Sequence, residues 1–207
     1  MYIIGAGGHG KVVAELAQLN VLPILSFIDE NKVTITSGSI NVIHDFPSEM
    51  VSATIAIGNN LVRKRIAQTY AYNYLKLIHP RANISGQATI GVGSVVIAGA
   101  TINIDAMIGE HVIVNTNASV GHDCIIGNFV HIAPNAALAG NVIVGEGTHI
   151  GMGATVIQGV KIGKWCVVGA GSVVINDIPN GAMVVGNPAR VIKEQVITSR
   201  VELIIDL

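Results

Sequence analysis

Residues 84–131 read ISGQAT IGVGSV VIAGAT INIDAM IGEHVI VNTNAS VGHDCI IGNFVH when cut into sixes, and an aliphatic residue opens every segment. The count continues without a phase break through Ile132, Leu138, Val144, Ile150, Val156, Ile162, Val168 and Val174, giving 16 aliphatic positions in succession from Ile84. Random placement in a globular composition would make only about a quarter to a third of them aliphatic. A period of six fits neither an α-helix nor a half-buried strand. It fits short flat strands joined at corners, each sending one residue inward, with three hexapeptides closing a triangular coil. An 18-residue coil makes 84–174 five uninterrupted turns. A β-sandwich, with turns every 8–12 residues or so, would lose phase over that length.

Two further positions follow from the ladder. The residue after the aliphatic one is often glycine (Gly91, Gly109, Gly127, Gly145, Gly151, Gly163, Gly169), which suggests a turn that demands a glycine-compatible backbone. The residue four after it is small or β-branched throughout, from Ala88 to Ser172. Residues 18 apart should stack about 4.8 Å apart on one wall. Gly140 then lies over His122, leaving open space for a ligand and an amide to face developing negative charge. His149 likewise stacks on His131. Cys124 and Cys166, 42 apart, fall on different walls and read as small core fillers, outside any CxxC or Cys/His zinc spacing, so no metal site is expected.

Residues 1–78 follow another grammar. A strand at 1–4 leads into Gly5-Ala6-Gly7-Gly8-His9-Gly10 and a helix expected at 11–20; a second strand, 24–28, ends in Asp29-Glu30. A third, 54–57, leads into Gly58-Asn59-Asn60 and a helix bearing Arg63, Lys64 and Arg65, read as a solvated face with Arg63 nearest the loop and in reach of a phosphate. Strand, glycine turn and helix amino terminus form a phosphate cradle. NAD binding with Asp29 on the ribose would need two βαβαβ halves. Fewer than 80 residues hold one half, enough for a single nucleotide. The fold expected is thus a small α/β Rossmann-like domain (1–78), an all-β parallel β-helix (79–193) and a tail (194–207) of undetermined structure.

The bulk properties narrow the partners. Half the residues are apolar, only 4% are aromatic, and the formal net charge is −1, so nothing attracts nucleic acid or an anionic membrane wholesale. With no apolar run long enough for a span and no basic n-region before MYIIGAGG, a cytoplasmic protein is expected.

GAGGHG, Asp29-Glu30, IGNN (57–60), IHP (78–80), HDC with IG (122–127) and GNPAR (186–190) together resemble the NeuD/PglD family of bacterial sugar acetyltransferases over residues 1 to about 193. The resemblance implies a left-handed β-helix, acetyl-CoA as co-substrate, and usually a homotrimer with active sites between subunits. The nearest likeness is to members that N-acetylate a UDP-linked 4-amino-4,6-dideoxy sugar of the bacillosamine type. It assigns His122 as general base assisted by Asp123, where similar enzymes often carry Glu, and Asn115 as an active-site asparagine, which also reads as a corner residue tolerating a left-handed backbone. It places His131, Gly151, Met152, Gly169 and Ala170 with the coenzyme, to which register adds Gly140, while the phosphate-cradle reading offers Gly7, Gly8, His9, Gly10, Asp29, Glu30, Gly58 and Asn59 to the sugar nucleotide. His149 reads as structural, at a subunit interface, and His44 and His111 as structural or solvent-facing. The competing readings are O-acetylation of sialic acid, a noncatalytic nucleotide-sugar-binding scaffold, and, last, a three-histidine carbonic anhydrase.

Overall fold

The computed structural model describes residues 1–32 and 36–194. The expected tail falls outside them except for Glu194, which closes the last strand.

Every one of the 16 ladder residues ends a two-residue strand, from Asn83–Ile84 to Val173–Val174. The strands stack in parallel into three walls of a left-handed β-helix. The first wall also takes in Leu77–Ile78 below and Ala182–Val185 above; the second runs from Asn83–Ile84 to Val173–Val174, and the third from Thr89–Ile90 to Lys161–Ile162. Register is 18 from Leu77–Ile78 to Val173–Val174, as in Ile113↔His131 and His131↔His149, and shortens to 16 where the closing strand pairs Val167 with Met183. The inward residues and the small residues four further on form one continuous core. Cys124 and Cys166 are buried in it as free thiols.

The corners correct one expectation. The glycines directly after the ladder do not supply the left-handed backbone; that falls two residues later, at 93, 99, 105 and every sixth position to 171, where Gly, Asp, His, Asn, Phe and Trp all have φ between 52° and 70° or just above. Gly91, Gly127 and Gly145 answer a different demand. A Cβ on Gly145 would lie 2.6 Å from the carbonyl carbon of Gly163 in the next coil, closer than real Cβ atoms come. Close backbone approach between coils, not turn conformation, excludes a side chain there.

In the amino-terminal domain, strands β1 (Tyr2–Ile4), β2 (Ser26–Ile28), β3 (Thr36–Ser37), β4 (Ile40–Ile43), β5 (Ser52–Ile55) and β6 (Asn73–Tyr74) form one sheet in the order β3-β4-β2-β1-β5-β6. All pairs are parallel except the β3–β4 hairpin. Helix α1 spans Gly8–Leu19, so His9 and Gly10 belong to its first turn rather than to the loop before it. Helix α2 spans Asn60–Thr69.

The domain packs on the first wall, where Leu77, Val95, Ile97 and Ile113 turn outward into a core shared with Ile3, Val13, Leu16 and Phe27. Arg63 is not on a solvated face. It is 1% exposed and spends its guanidinium on carbonyls from both domains: Ile57 (2.8 Å), His111 (2.8 Å) and Phe129 (2.8 Å), with Asn60 Oδ1 at 2.8 Å. No carboxylate is among these partners, and burial pulls its pKa down to about 9. Asn60 adds a bond to the Gly147 carbonyl (3.0 Å), and Lys64 pairs with Glu146 at 2.5 Å. His111 stacks face-on with Phe129 (centroids 5.2 Å apart) beneath Tyr74.

This seam should be acid-sensitive. Burial first, and Arg63 second, lower His9 and His111 to about 4; burial, His149 and Arg63 lower His131 to about 2. These imidazoles stay neutral when folded, whereas unfolding frees them to titrate near 6.5. Their contribution is therefore complete above about 6.5 and is lost as pH falls from there toward 4. Thermal unfolding across that window should show a falling Tm, and His111→Phe, which keeps the stack, should flatten the slope. A second expectation concerns Arg63→Met, which strands buried carbonyls and should destabilise by about 1–3 kcal/mol for each one left unpaired, read in denaturant titration.

Candidate active site

Three groups of residues carry chemistry, and the fold separates them. The first lies on the edge between the second and third walls. His122 and Asp123 follow the strand Ser119–Val120, with Asp123 at φ 59°. That corner conformation brings the carboxylate back onto its neighbour, so His122 Nδ1 lies 2.5 Å from Asp123 Oδ2. A carboxylate only accepts, so Nδ1 carries the proton and Nε2 is left as the basic lone pair. Both side chains are about half exposed, 56% and 51%. Gly140 lies directly above, and a Cβ built on it would overlap the imidazole. The backbone amide of Gly140 has no protein acceptor among the described residues. A basic nitrogen and an amide without a protein acceptor thus meet at one half-exposed corner.

The second group occupies the edge between the first and second walls. Gly151 stacks under Gly169, and exposed Met152 under Ala170. Asn115 sits two coils below Gly151 on this edge, away from His122. Its backbone is not left-handed. Its Oδ1 takes the Thr116 amide (2.8 Å) and its Nδ2 reaches His131 Nε2 at 3.2 Å. His131 faces the amino-terminal domain beside Gly58, with Nδ1 buried and unpartnered, and meets His149 edge-on at 4.9 Å. Both imidazoles lie at the domain seam of the chain itself.

The third group is a cleft of about 750 Å³ in the amino-terminal domain, lined by Gly7, Gly8, His9, Asp29, Glu30 and Gly58 among others. It has the size of a small-molecule site. At its floor the amino terminus of α1 carries no side-chain cap, so first-turn amides face the cleft. Asp29 Oδ2 accepts the Ala6 amide at 2.8 Å, holding the glycine turn open. His9 enters the wall with a buried Nε2 that has no partner. Sequence reasoning missed Arg65, Phe46 and Tyr70, which also line the cleft, the two rings stacked with centroids 4.0 Å apart. Two expected contacts do not line it. Gly10 is buried, packed so tightly on Gly5 that a Cβ would overlap the Gly5 carbonyl, and Asn59 caps α2 through the Leu61 and Val62 amides (3.0 Å each).

Residues 1–70 match the family described as the PglD N-terminal domain, and residues 105–140 and 141–176 match the bacterial transferase hexapeptide family. The acetyltransferase domain of PglB from Neisseria gonorrhoeae FA1090 is 41% identical, with a TM-score of 0.86, over 92% of this chain and 98% of that one. That domain has also been solved in complex with acetyl coenzyme A. PerB from Caulobacter crescentus, solved in complex with CoA and GDP-perosamine, is 37% identical with a TM-score of 0.86, over 92% and 95%. The UDP-N-acetylbacillosamine N-acetyltransferase of Bacillus subtilis (strain 168) is 42% identical over 108 residues, 46% of this chain and only half the length of that relative.

The stacking of Gly140 on His122 has a direct consequence for the ring. In long-range proton–nitrogen NMR, His122 should report the Nδ1–H tautomer. Gly140→Ala should push the imidazole off Asp123 and give a mixture of tautomers.

Proposed function

Since the chain belongs to the hexapeptide-repeat acetyltransferases that carry a PglD-type amino-terminal domain, we propose that it transfers acetyl from acetyl-CoA to the amino group of a nucleotide-linked sugar. The observation that carries the proposal is the His122–Asp123 pair beneath the open amide of Gly140. A sugar amine is an ammonium at neutral pH and must lose a proton before its lone pair can attack a thioester carbonyl. His122 Nε2 takes that proton, and Asp123 steadies the resulting imidazolium. The Gly140 amide faces the carbonyl oxygen as negative charge grows there. As the C–S bond breaks, the imidazolium gives the proton taken from the ammonium to the leaving thiolate, and the second proton that the nitrogen sheds on becoming an amide passes to His122 Nε2 and on to solvent.

The cleft supports a sugar nucleotide as acceptor. First-turn amides of α1 suit a diphosphate, Arg65 adds positive charge, and Asp29 and Glu30 offer acceptors for hydroxyl or base N–H groups. The acceptor we favour is a UDP-linked 4-amino-4,6-dideoxy sugar of the bacillosamine type, the substrate class of the Bacillus relative by its name. PerB, bound to GDP-perosamine, supports the same amine chemistry on another nucleotide.

We assign acetyl-CoA to the β-helix edge that carries Gly151 and Gly169, where Met152 supplies an exposed apolar contact. Because these residues and His122 lie on different edges, one chain does not assemble the whole site. A homotrimer in which one subunit's His122 edge faces its neighbour's Asn115–Gly151 edge would do so. The column Met107, Ile125, Ile143 on the third wall, its first two residues exposed and the last half-buried, offers apolar surface for such packing.

Replacing His122 with Ala should lower turnover about 10²–10⁴-fold, the usual worth of a general base. Turnover near that of the unaltered protein would remove His122 from the mechanism. Assays with UDP- and GDP-linked 4-amino sugars and with sialic acid identify the acceptor; acetylation of sialic acid alone would overturn the amino-sugar reading.

A further inference from the structure

The slot four residues after each ladder position points into the core, and on the edge that carries His122 it is filled by Ala88, Ala106, Cys124, Val142 and Val160. Four of these five have no side-chain donor, so packing along this edge does not require one. Cys124 is the exception, and it lies in the coil of His122. Its Sγ donates to the carbonyl of Ala139 at 3.1 Å. That carbonyl belongs to the Ala139–Gly140 peptide. A trans peptide is planar, with its C=O and N–H antiparallel. A bond that draws the Ala139 oxygen inward therefore turns the Gly140 N–H outward, toward the space beside His122.

We infer that Cys124 is a positioning residue for acyl transfer: its buried thiol fixes the plane of the Ala139–Gly140 peptide and so aims the Gly140 amide at the carbonyl oxygen of the thioester. The inference rests on the acyl-transfer reading above. Burial raises the Cys124 pKa, which keeps the sulfur protonated and able to donate. The same device recurs elsewhere in the β-helix with hydroxyl donors, Ser94 to Gly109 O (2.8 Å) and Thr148 to Gly163 O (2.7 Å), so a hydroxyl fits the slot. Cys166 repeats it with a thiol, to Pro179 O at 3.0 Å, on an edge remote from His122. Nature of donor and need for one can thus be tested apart.

The test is steady-state kinetics on Cys124→Ala, Cys124→Ser and Cys166→Ala, with Tm recorded for each and His122→Ala run alongside. Outright loss of an oxyanion donor costs about 10²–10³-fold, so a donor left in place but loosely aimed should cost about 10-fold in kcat. Cys124→Ala should show that loss with the KM for both substrates within about twofold, while Cys124→Ser restores kcat and Cys166→Ala leaves it unchanged. Unaltered kcat in Cys124→Ala, a Ser variant as slow as the Ala variant, or an equal loss in Cys166→Ala would each overturn the inference. In those cases a slow His122→Ala leaves the acyl-transfer reading standing. An active His122→Ala removes that reading whatever the cysteine variants do.

Discussion

The repeat distance of a parallel strand ladder, about 4.8 Å, governs the rest of this molecule. Eighteen residues complete a coil, so each side chain meets the side chain 18 places away and little else along the edge. At that spacing some corners bring two backbones so close that a Cβ has no room between them, as at Gly91, Gly127, Gly145 and Gly151, and glycine recurs there. The same restriction produces the site. An imidazole at 122 projects beneath residue 140 because 140 has no side chain to displace it.

A second constraint joins the halves. The amino-terminal sheet would be a free-standing unit were its core not continued by Leu77, Val95 and Ile113 of the first wall. Arg63 seals that junction with carbonyl oxygens alone, a mode that guanidinium suits because its fork of five donors can serve several acceptors at once. Joining the domains this tightly sets the cleft against His131 and Asn115. The amino-terminal half is thereby held at a fixed angle to the edge where the coenzyme is proposed to lie.

The period of six made the β-helix legible, since an unbroken run of 16 aliphatic positions has no other reading, and arithmetic modulo 18 placed Gly140 over His122 and His149 on His131 before any coordinate was known. What arithmetic did not reach were properties set by docking. Arg63, Lys64 and Arg65 form one basic run in sequence, yet one is buried, one is paired with Glu146 and one lines the cleft. Phe46 and Tyr70 lie 24 residues apart in irregular segments, so no motif announced their stacking. The corner glycines were noticed for the right positions but the wrong cause, because the sequence displays a glycine without displaying what approaches it. Asn115 could be read as a left-handed corner or as a site residue, and the φ angle that removes the first reading is not visible in the sequence.

The left-handed corners carry a consequence for how such a chain can change length. Because Asp, His, Asn, Phe and Trp share one backbone conformation with glycine at every sixth position, what that position tolerates is set by place and not by residue type. An insertion or deletion of 18 residues therefore returns every later residue to its own wall, only shifted by one strand spacing. A change of six moves it to the next wall, and a change of one turns core residues to solvent. Within the uninterrupted hexapeptide run growth is quantised in steps of about 4.8 Å, and the closing strand, paired at a spacing of 16, departs from that rule.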